Sequence, residues 1–391
     1  MEQVTAGCKI VLSVYSLSAI LHRIIPARKV TGYACDCYTG KPLDYRLNGL
    51  LCMISLVSGW FVLGSIGLIE LDYIYENVWG SVFVANFLGL LGSALLYIKG
   101  RQLSSTMRQP YQRCPTRDRP GRKKIRTEDV ENEQKRSSLS HFFLGQEFNP
   151  RYGLFDLKMF LYLVGAVMLG LNVYSAIAAQ KKKNGTLSLA AMVYGGLFTH
   201  FLTEYMYFEE IHLYTYDLFA EKVGFKLFWG CFVFYPFFYA IGAGAIVSQD
   251  KNVDLTQWQA AACVLLFYSG WIMTRGANMQ KFYFKQNPEH KTCFGGLIQQ
   301  KTIPNSKILC SGFWGASRHI NYLGEICQSI ALAIPGWLVS GSLLPWLYPV
   351  YYVALFIPRQ YDDDAICLEK YGKSWEDYMR AVPYRIVPYI W

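Results

Sequence analysis

The sequence predicts an all-α fold: a polytopic transmembrane helical bundle of about nine to ten spans. Three observations carry that expectation. Of the 391 residues 52% are hydrophobic and only 17% charged, where soluble proteins carry about 25% charged residues. The apolar residues gather in nearly charge-free blocks, each long enough to cross a hydrocarbon layer of about 30 Å. Finally, the apolar/polar alternation of barrel strands is absent, and lipid admits only helices or closed barrels.

The blocks fall in order along the chain. The first, 6–21, has no basic segment before it and no small-residue cleavage site ahead of His22-Arg23, so it reads as a span rather than a signal peptide. Arg23, Arg28 and Lys29 follow and place the next loop in the cytosol. Spans at 49–69 and 79–98 flank an acidic turn with Glu70, Asp72 and Glu76. A basic cytosolic loop at 99–142 then carries Arg113, Arg117, Arg119, Arg122, Lys123, Lys124 and Arg126, followed by an acidic run. Pro110, Pro115 and Pro120 and a low apolar content predict partial disorder there. A solvated loop is the simpler reading, and a regulatory or nucleic-acid role the other. Further spans are expected at 157–179, 187–208, 225–247, 257–274, 326–339 and 344–357, which puts the N-terminus in the lumen and the tail in the cytosol. Lys181, Lys182 and Lys183 fall on the wrong side of that scheme. Asn184-Gly185-Thr186 has the form of a glycosylation sequon, though close to the membrane.

The net charge of +10 sits in loops next to spans, which fits topology better than a nucleic-acid footprint, so no nucleic-acid partner is expected. Five of the eleven cysteines (Cys8, Cys52, Cys231, Cys263 and Cys327) lie inside apolar blocks, where they act as small hydrophobes, and the Cys35-Asp36-Cys37 spacing does not suit zinc. No metal cluster, P-loop or Ser-His-Asp set is evident. Gly242 and Gly244 lie within an apolar span and lack the strand–turn–helix setting of a dinucleotide fold.

Two polar regions stand out. The segment 275–322 interleaves cations, amides, glycines and aromatics, and 359–391 echoes it with Arg359, Asp362, Asp363, Asp364, Tyr371 and Tyr378. Such residues suit an anionic, aromatic ligand. A basic juxtamembrane surface held against lipid headgroups is the alternative. The second region closes the 187–208 span: His200 and Glu204, and Tyr205 and Glu209, are each four apart and would share helix faces. A phenol backed by a carboxylate can form a proton-donating chain. An interfacial aromatic belt with snorkelling carboxylates accounts for the same residues.

The chain resembles the sterol reductase family that contains delta-14 sterol reductases, 7-dehydrocholesterol reductase and the membrane part of the lamin B receptor. The resemblance runs over nearly the whole length. It is carried in part by Arg275-Gly276-Ala277-Asn278 with Gln280-Lys281, and its most specific parts are Ser311-Gly312-Phe313-Trp314-Gly315 with Arg318-His319-Ile320-Asn321-Tyr322, and the closing Lys370-Tyr371-Gly372 and Val382-Pro383-Tyr384-Arg385. It implies NADPH-dependent reduction of a sterol ring double bond, by protonation of the alkene to a tertiary carbocation and hydride delivery to that carbon. The implied setting is the membrane of the endoplasmic reticulum, with the inner nuclear membrane as a second location; sterol and membrane lipid are the implied partners. Residues 1–274 would form the bundle with the sterol pocket, and 275–391 a cytosol-facing cofactor region that includes the last two spans.

By the same resemblance NADPH would be held by Lys281, Lys285, Leu309, Trp314, Arg318, Asn321, Tyr322, Arg359, Asp363, Cys367, Tyr371 and Tyr378. In the catalytic cluster Tyr205 would donate the proton, with Glu204 orienting it and Glu209 beside them. The Glu209-Glu210 pair and the ending Val387-Pro388-Tyr389-Ile390-Trp391 point to the carbon-14 branch. Some positions depart from the family pattern. Leu161-Tyr162-Leu163-Val164-Gly165 stands where an acidic-Arg-Pro-Gly run is usual, Cys231 where Asp is, Glu325 where Asp is, and Lys285 where Arg is; the chain also begins one span late. These departures keep open a catalytically weak sterol-binding or nuclear-membrane scaffold. A related C-terminal cofactor fold keeps open an isoprenylcysteine methyltransferase-like enzyme, against which the Lys281/Lys285 pair argues, since S-adenosylmethionine carries no phosphate.

Overall fold

The computed structural model describes residues 1–36, 39–106 and 137–391. Cys37 and most of the basic loop expected at 99–142 lie outside the described residues. The chain divides into two units, 1–186 with 198–243 and 187–197 with 244–391.

In the first unit, helix α1 (Glu2–Ile24) leads into a hairpin of β1 (Arg28–Cys35) and β2 (Pro42–Leu47), paired antiparallel from Arg28↔Leu47 to Thr31↔Asp44 and bulged beyond. Then come α2 (Gly49–Ser65), α3 (Tyr73–Glu76), α4 (Val78–Thr106) and α5 (Ser138–Leu144). A two-residue hairpin, β3 (Arg151–Tyr152) with β4 (Phe155–Asp156), opens α6 (Leu157–Asn184). Asp156 starts that helix by accepting from the Met159 N–H at 3.1 Å, and Arg151 holds the same carboxylate at 2.7 Å. Such caps occupy amide donors that a helix cannot satisfy itself.

Helix α7 (Leu189–Tyr207) is followed by two single turns, α8 (Glu209–His212) and α9 (Tyr216–Phe219), and by α10 (Phe225–Trp229). From Gly230 to Phe238 the helix is π-wound around Pro236, and α11 (Gly242–Ser248) ends the run. Proline removes one intrahelical bond; the Asn172 side chain on α6 donates to the Pro236 carbonyl at 2.8 Å. Lys158 is fully buried, and its ammonium donates to the carbonyls of Asp217, Leu218 and Glu221 at 2.9, 3.2 and 2.6 Å. It thereby ties the start of α6 to the α9 turn, the chain segment that follows Tyr205.

In the second unit, Asp254 receives the Leu189 and Ala190 N–H groups at 2.7 and 2.9 Å and so caps the start of α7. Thr256 and Gln259 form a capping box that starts α12 (Gln257–Gln286). A hairpin of β5 (Thr292–Cys293) and β6 (Ile298–Gln299) and the short α13 (Phe313–Ala316) precede α14 (Ile320–Ser340), α15 (Leu347–Tyr371) and α16 (Lys373–Ala381). Helices α12 and α14 cross where Gly270 faces the Gly324 carbonyl and Gly324 the Gly270 carbonyl, a contact that a side chain at either position would block.

The nine expected spans all fall on helix, and among the described residues six helices are long and apolar enough to cross a membrane, while Gly49–Ser65 is apolar but shorter. The protein is mostly helical and multi-pass. The all-α expectation is amended, among the described residues, by three two-stranded hairpins, none of which contributes to a larger sheet. Helix α12 also runs past the expected end of its span, so Arg275, Gln280, Lys281 and Lys285 stand on its last turns. Of the three lysines at the end of α6, Lys182 pairs with Asp72 at 2.7 Å and Glu70 at 3.0 Å, so the acidic turn between α2 and α4 offsets its charge.

Candidate functional site

The two polar regions fall in different units. In the first unit α7 stops at Tyr207 and Phe208 leaves helical geometry. The four-residue spacing of Tyr205 and Glu209 therefore does not describe one helix face, as the sequence reading assumed. Glu209 turns instead to the first turn of α2, where both carboxylate oxygens accept from the Gly49 N–H, at 3.2 and 3.0 Å. A helix N-terminus is a favourable place for a carboxylate. The neighbouring Glu210 pairs with Arg28. What the break at Phe208 brings to Tyr205 is His212: the rings lie 3.9 Å apart at 30°, and His212 Nε2 is 3.1 Å from the Tyr205 carbonyl. Tyr162 on α6 stands 6.0 Å from the Tyr205 ring. Half-buried Glu204 precedes Tyr205 on α7, within electrostatic reach of His200.

Burial pushes the Glu209 carboxyl up to about 7, against the lowering effects of the Gly49 N–H and Arg28. The sign follows: a carboxyl whose pKa is higher folded than unfolded costs stability once pH rises above the unfolded value, and the full cost is reached above the folded value. Glu209→Gln keeps an acceptor for Gly49 and removes the charge. The variant is expected to match wild type in thermal unfolding near pH 5 and to exceed it at pH 8, by on the order of 2 kcal/mol. Equal curves at both pH values would mean that the carboxyl titrates normally.

The departures from the family pattern in this unit are neighbours. Leu161 and Cys231 belong to one buried apolar cluster with Val223, Leu227 and Phe228, and Tyr162 packs against it. Gly165 lies so close to the Cys231 carbonyl and the Tyr235 ring that a larger side chain would not fit. Replacing buried polar partners together by well-packed apolar groups is often neutral or stabilising, so the two departures act as one packing change.

In the second unit the candidate cofactor residues converge from α12, α13, α14, α15 and α16. Gln280, fully buried on α12, donates to the Ser311 carbonyl at 3.0 Å and accepts from the Phe313 N–H at 3.1 Å, which fixes the loop before α13. Gly312 within that loop has φ +63° and is pressed against the Gln280 side chain, a combination that only glycine meets without strain. Trp314 donates to the Ala277 carbonyl at 2.9 Å, and the Lys281 ammonium lies 5.6 Å over its ring. Tyr378 donates to the Trp314 carbonyl at 2.8 Å. Tyr378 belongs to a buried cluster with Ile303, Ile308, Trp375 and Val382, against which Cys367 and Tyr371 pack, and Leu309 is buried next to Ile308. Lys285 follows Lys281 by one helical turn.

At the start of α14, His319 stacks on Tyr322 (5.0 Å, 8°) and Tyr322 on Phe356 of α15 (4.4 Å, 3°). The Tyr322 hydroxyl donates to Asp363, and the Arg359 guanidinium lies 6.0 Å from the Tyr322 ring. The Asn321 carbonyl accepts from Thr274 at 3.0 Å. Arg318 is buried and engaged within the protein, donating to the Val382 and Pro383 carbonyls at 3.0 Å each and to Asp364 at 3.2 Å. Burial, with the charges of Arg318, Lys281, Arg385 and Arg359 around it, pushes the His319 imidazole down to about 3, so it is neutral at physiological pH. Four cations thus surround one aromatic stack, with Asp363 and Asp364 the carboxylates nearest the imidazole. Sequence reasoning named most of these residues; it missed His212 beside Tyr205 and Gln360 among the arginines, neither of which any spacing singles out.

Comparison with known proteins bears on the whole chain. The profile of the Ergosterol biosynthesis ERG4/ERG24 family matches residues 4–391. A protein of Methylotuvimicrobium alcaliphilum named Delta(14)-sterol reductase is 30% identical over 356 residues, 90% of this chain and 76% of the relative. One of that name from Arabidopsis thaliana is 29% identical over 374 residues, 95% of this chain and 93% of the relative. One from Mus musculus is 35% identical over 256 residues, 65% of this chain and 60% of the relative. With its helical architecture and a match from end to end, the chain belongs to the ergosterol biosynthesis ERG4/ERG24 family.

Proposed function

We propose that this protein is a sterol reductase that uses NADPH to saturate the carbon 14–15 double bond of a sterol in the endoplasmic reticulum membrane. The observation that carries the cofactor reading is the convergence of Lys281, Arg318, Arg359 and Arg385 on His319 and its ring stack. Cations grouped at one site suit an anionic ligand, and flat rings suit one with a flat head. The residues fit such a group on a further ground: Asn321 Oδ1 and Gln360 Nε2 are buried and lack a hydrogen-bond partner among the described residues. Lys281, Lys285 and Arg359 would hold phosphate, and Asn321, Tyr322 and Trp314 would set the ring. Leu309, Cys367, Tyr371 and Tyr378 would form the wall. Bound NADPH supplies the hydride.

The chain's own contribution to the chemistry is the proton. Tyr205 gives it to the alkene, leaving a tertiary cation at carbon 14; Glu204 orients the phenol, and the facing rings of Tyr162 and His212 fix its position. Glu209 contributes by closing α2 onto the segment after α7. Aromatic faces tolerate a passing cation where plain hydrocarbon does not.

The relatives' names favour this reading over a sterol-binding scaffold. A methyl-transfer cofactor carries no phosphate to meet the cations grouped around His319. Incubation of the purified protein with a 14-ene sterol and NADPH tests the proposal: conversion to the saturated sterol supports it, and tight sterol binding without conversion supports the scaffold.

A further inference from the structure

The last residues of the chain belong to the cation-rich site. The Arg318 and His319 N–H groups donate to the Tyr384 and Arg385 carbonyls at 3.0 and 2.8 Å, and the Ser317 hydroxyl to the Ile386 carbonyl at 2.8 Å. Together with the two bonds from the Arg318 guanidinium to Val382 and Pro383, these lay the tail alongside 317–319, directly before Asn321 and Tyr322. The tail delivers one cation. Arg385 donates to Gln360 Oε1 at 3.0 Å, stands 3.9 Å from Asp364, and lies 4.5 Å over the Tyr361 ring.

Two features separate Arg385 from Arg318. Arg318 has only 4% of its side chain exposed and is committed to two carbonyls and Asp364; Arg385 keeps 31% exposed. A guanidinium has five donors, and one of Arg385's is given to Gln360. Asp364 already has Arg318 nearer, at 3.2 Å, so it does not fully neutralise Arg385. An arginine whose plane is set by an aromatic ring and an amide, with donors to spare, is prepared for bidentate contact with phosphate.

We infer that Arg385, carried into the site by the C-terminal tail, binds a phosphate of the dinucleotide cofactor. This rests on the reading of the site as a dinucleotide site. It makes the tail a wall of that site rather than a terminal extension.

Equilibrium binding of NADPH and NADH to the full-length, detergent-purified protein tests the inference, with sterol binding and thermal unfolding measured on the same samples. Arg385→Gln should weaken NADPH binding about 10- to 100-fold, the range for a charge-assisted contact, with sterol affinity unchanged. Arg385→Lys, which keeps the charge and loses the fork, should recover part of the loss. A loss for NADPH alone assigns Arg385 to the 2′-phosphate, and an equal loss for both nucleotides assigns it to the pyrophosphate. NADPH affinity within twofold of wild type in Arg385→Gln, or no recovery in a folded Arg385→Lys, overturns the inference and leaves the site reading intact. If the wild-type protein binds neither nucleotide, the site reading itself falls and the inference with it.

Discussion

In Tyr205→Phe, turnover is expected to fall by roughly 10²- to 10⁴-fold, the usual contribution of a positioned proton donor, while NADPH and sterol bind as before. The substitution is clean because the phenylalanine ring can keep the contacts with His212 at 3.9 Å and Tyr162 at 6.0 Å. Only the hydroxyl is removed, so a loss of rate reports on the proton and not on packing. Steady-state turnover together with equilibrium binding checks it. A rate within tenfold of wild type would take the donor role from Tyr205, and simultaneous loss of cofactor binding would make its role structural.

Lys281→Ala is expected to raise the apparent constant for NADPH by about 10- to 100-fold, since a hydrogen bond to a charged group contributes about 1.5–3 kcal/mol. The rate at saturating NADPH should change little, because an ammonium on phosphate acts alike in ground and transition states. The lysine is held on α12 beside Trp314, whose indole is tied to Ala277 at 2.9 Å, so alanine removes a charge from a supported surface. An unchanged constant would remove Lys281 from the phosphate site.

Much of this architecture was legible because lipid makes length and hydropathy decisive: each expected span falls on helix. The hairpins were not, since two short strands outside the spans give no periodic signal against so apolar a background. The residues proposed to hold the cofactor stood out in the sequence as motifs dense in cations, glycines and aromatics, and the structure gathers many of them around Trp314, Tyr322 and Tyr378. The cluster proposed as catalytic was misread in one respect, because Tyr205 and Glu209 were placed on one helix face. No proline or glycine marks the break at Phe208, and it takes an irregular backbone there to bring His212 beneath Tyr205 and send Glu209 to Gly49. Gln360 and Arg385 gain their meaning only from long-range pairing, which no local pattern encodes.

The most direct test follows the two hydrogens added to the sterol. With NADPH carrying deuterium at the transferable position, the account predicts deuterium at carbon 14 of the product; in heavy water with ordinary NADPH, it predicts deuterium at carbon 15. Label from NADPH appearing in neither position, or sterol left unreduced by a protein that binds both compounds, would contradict it.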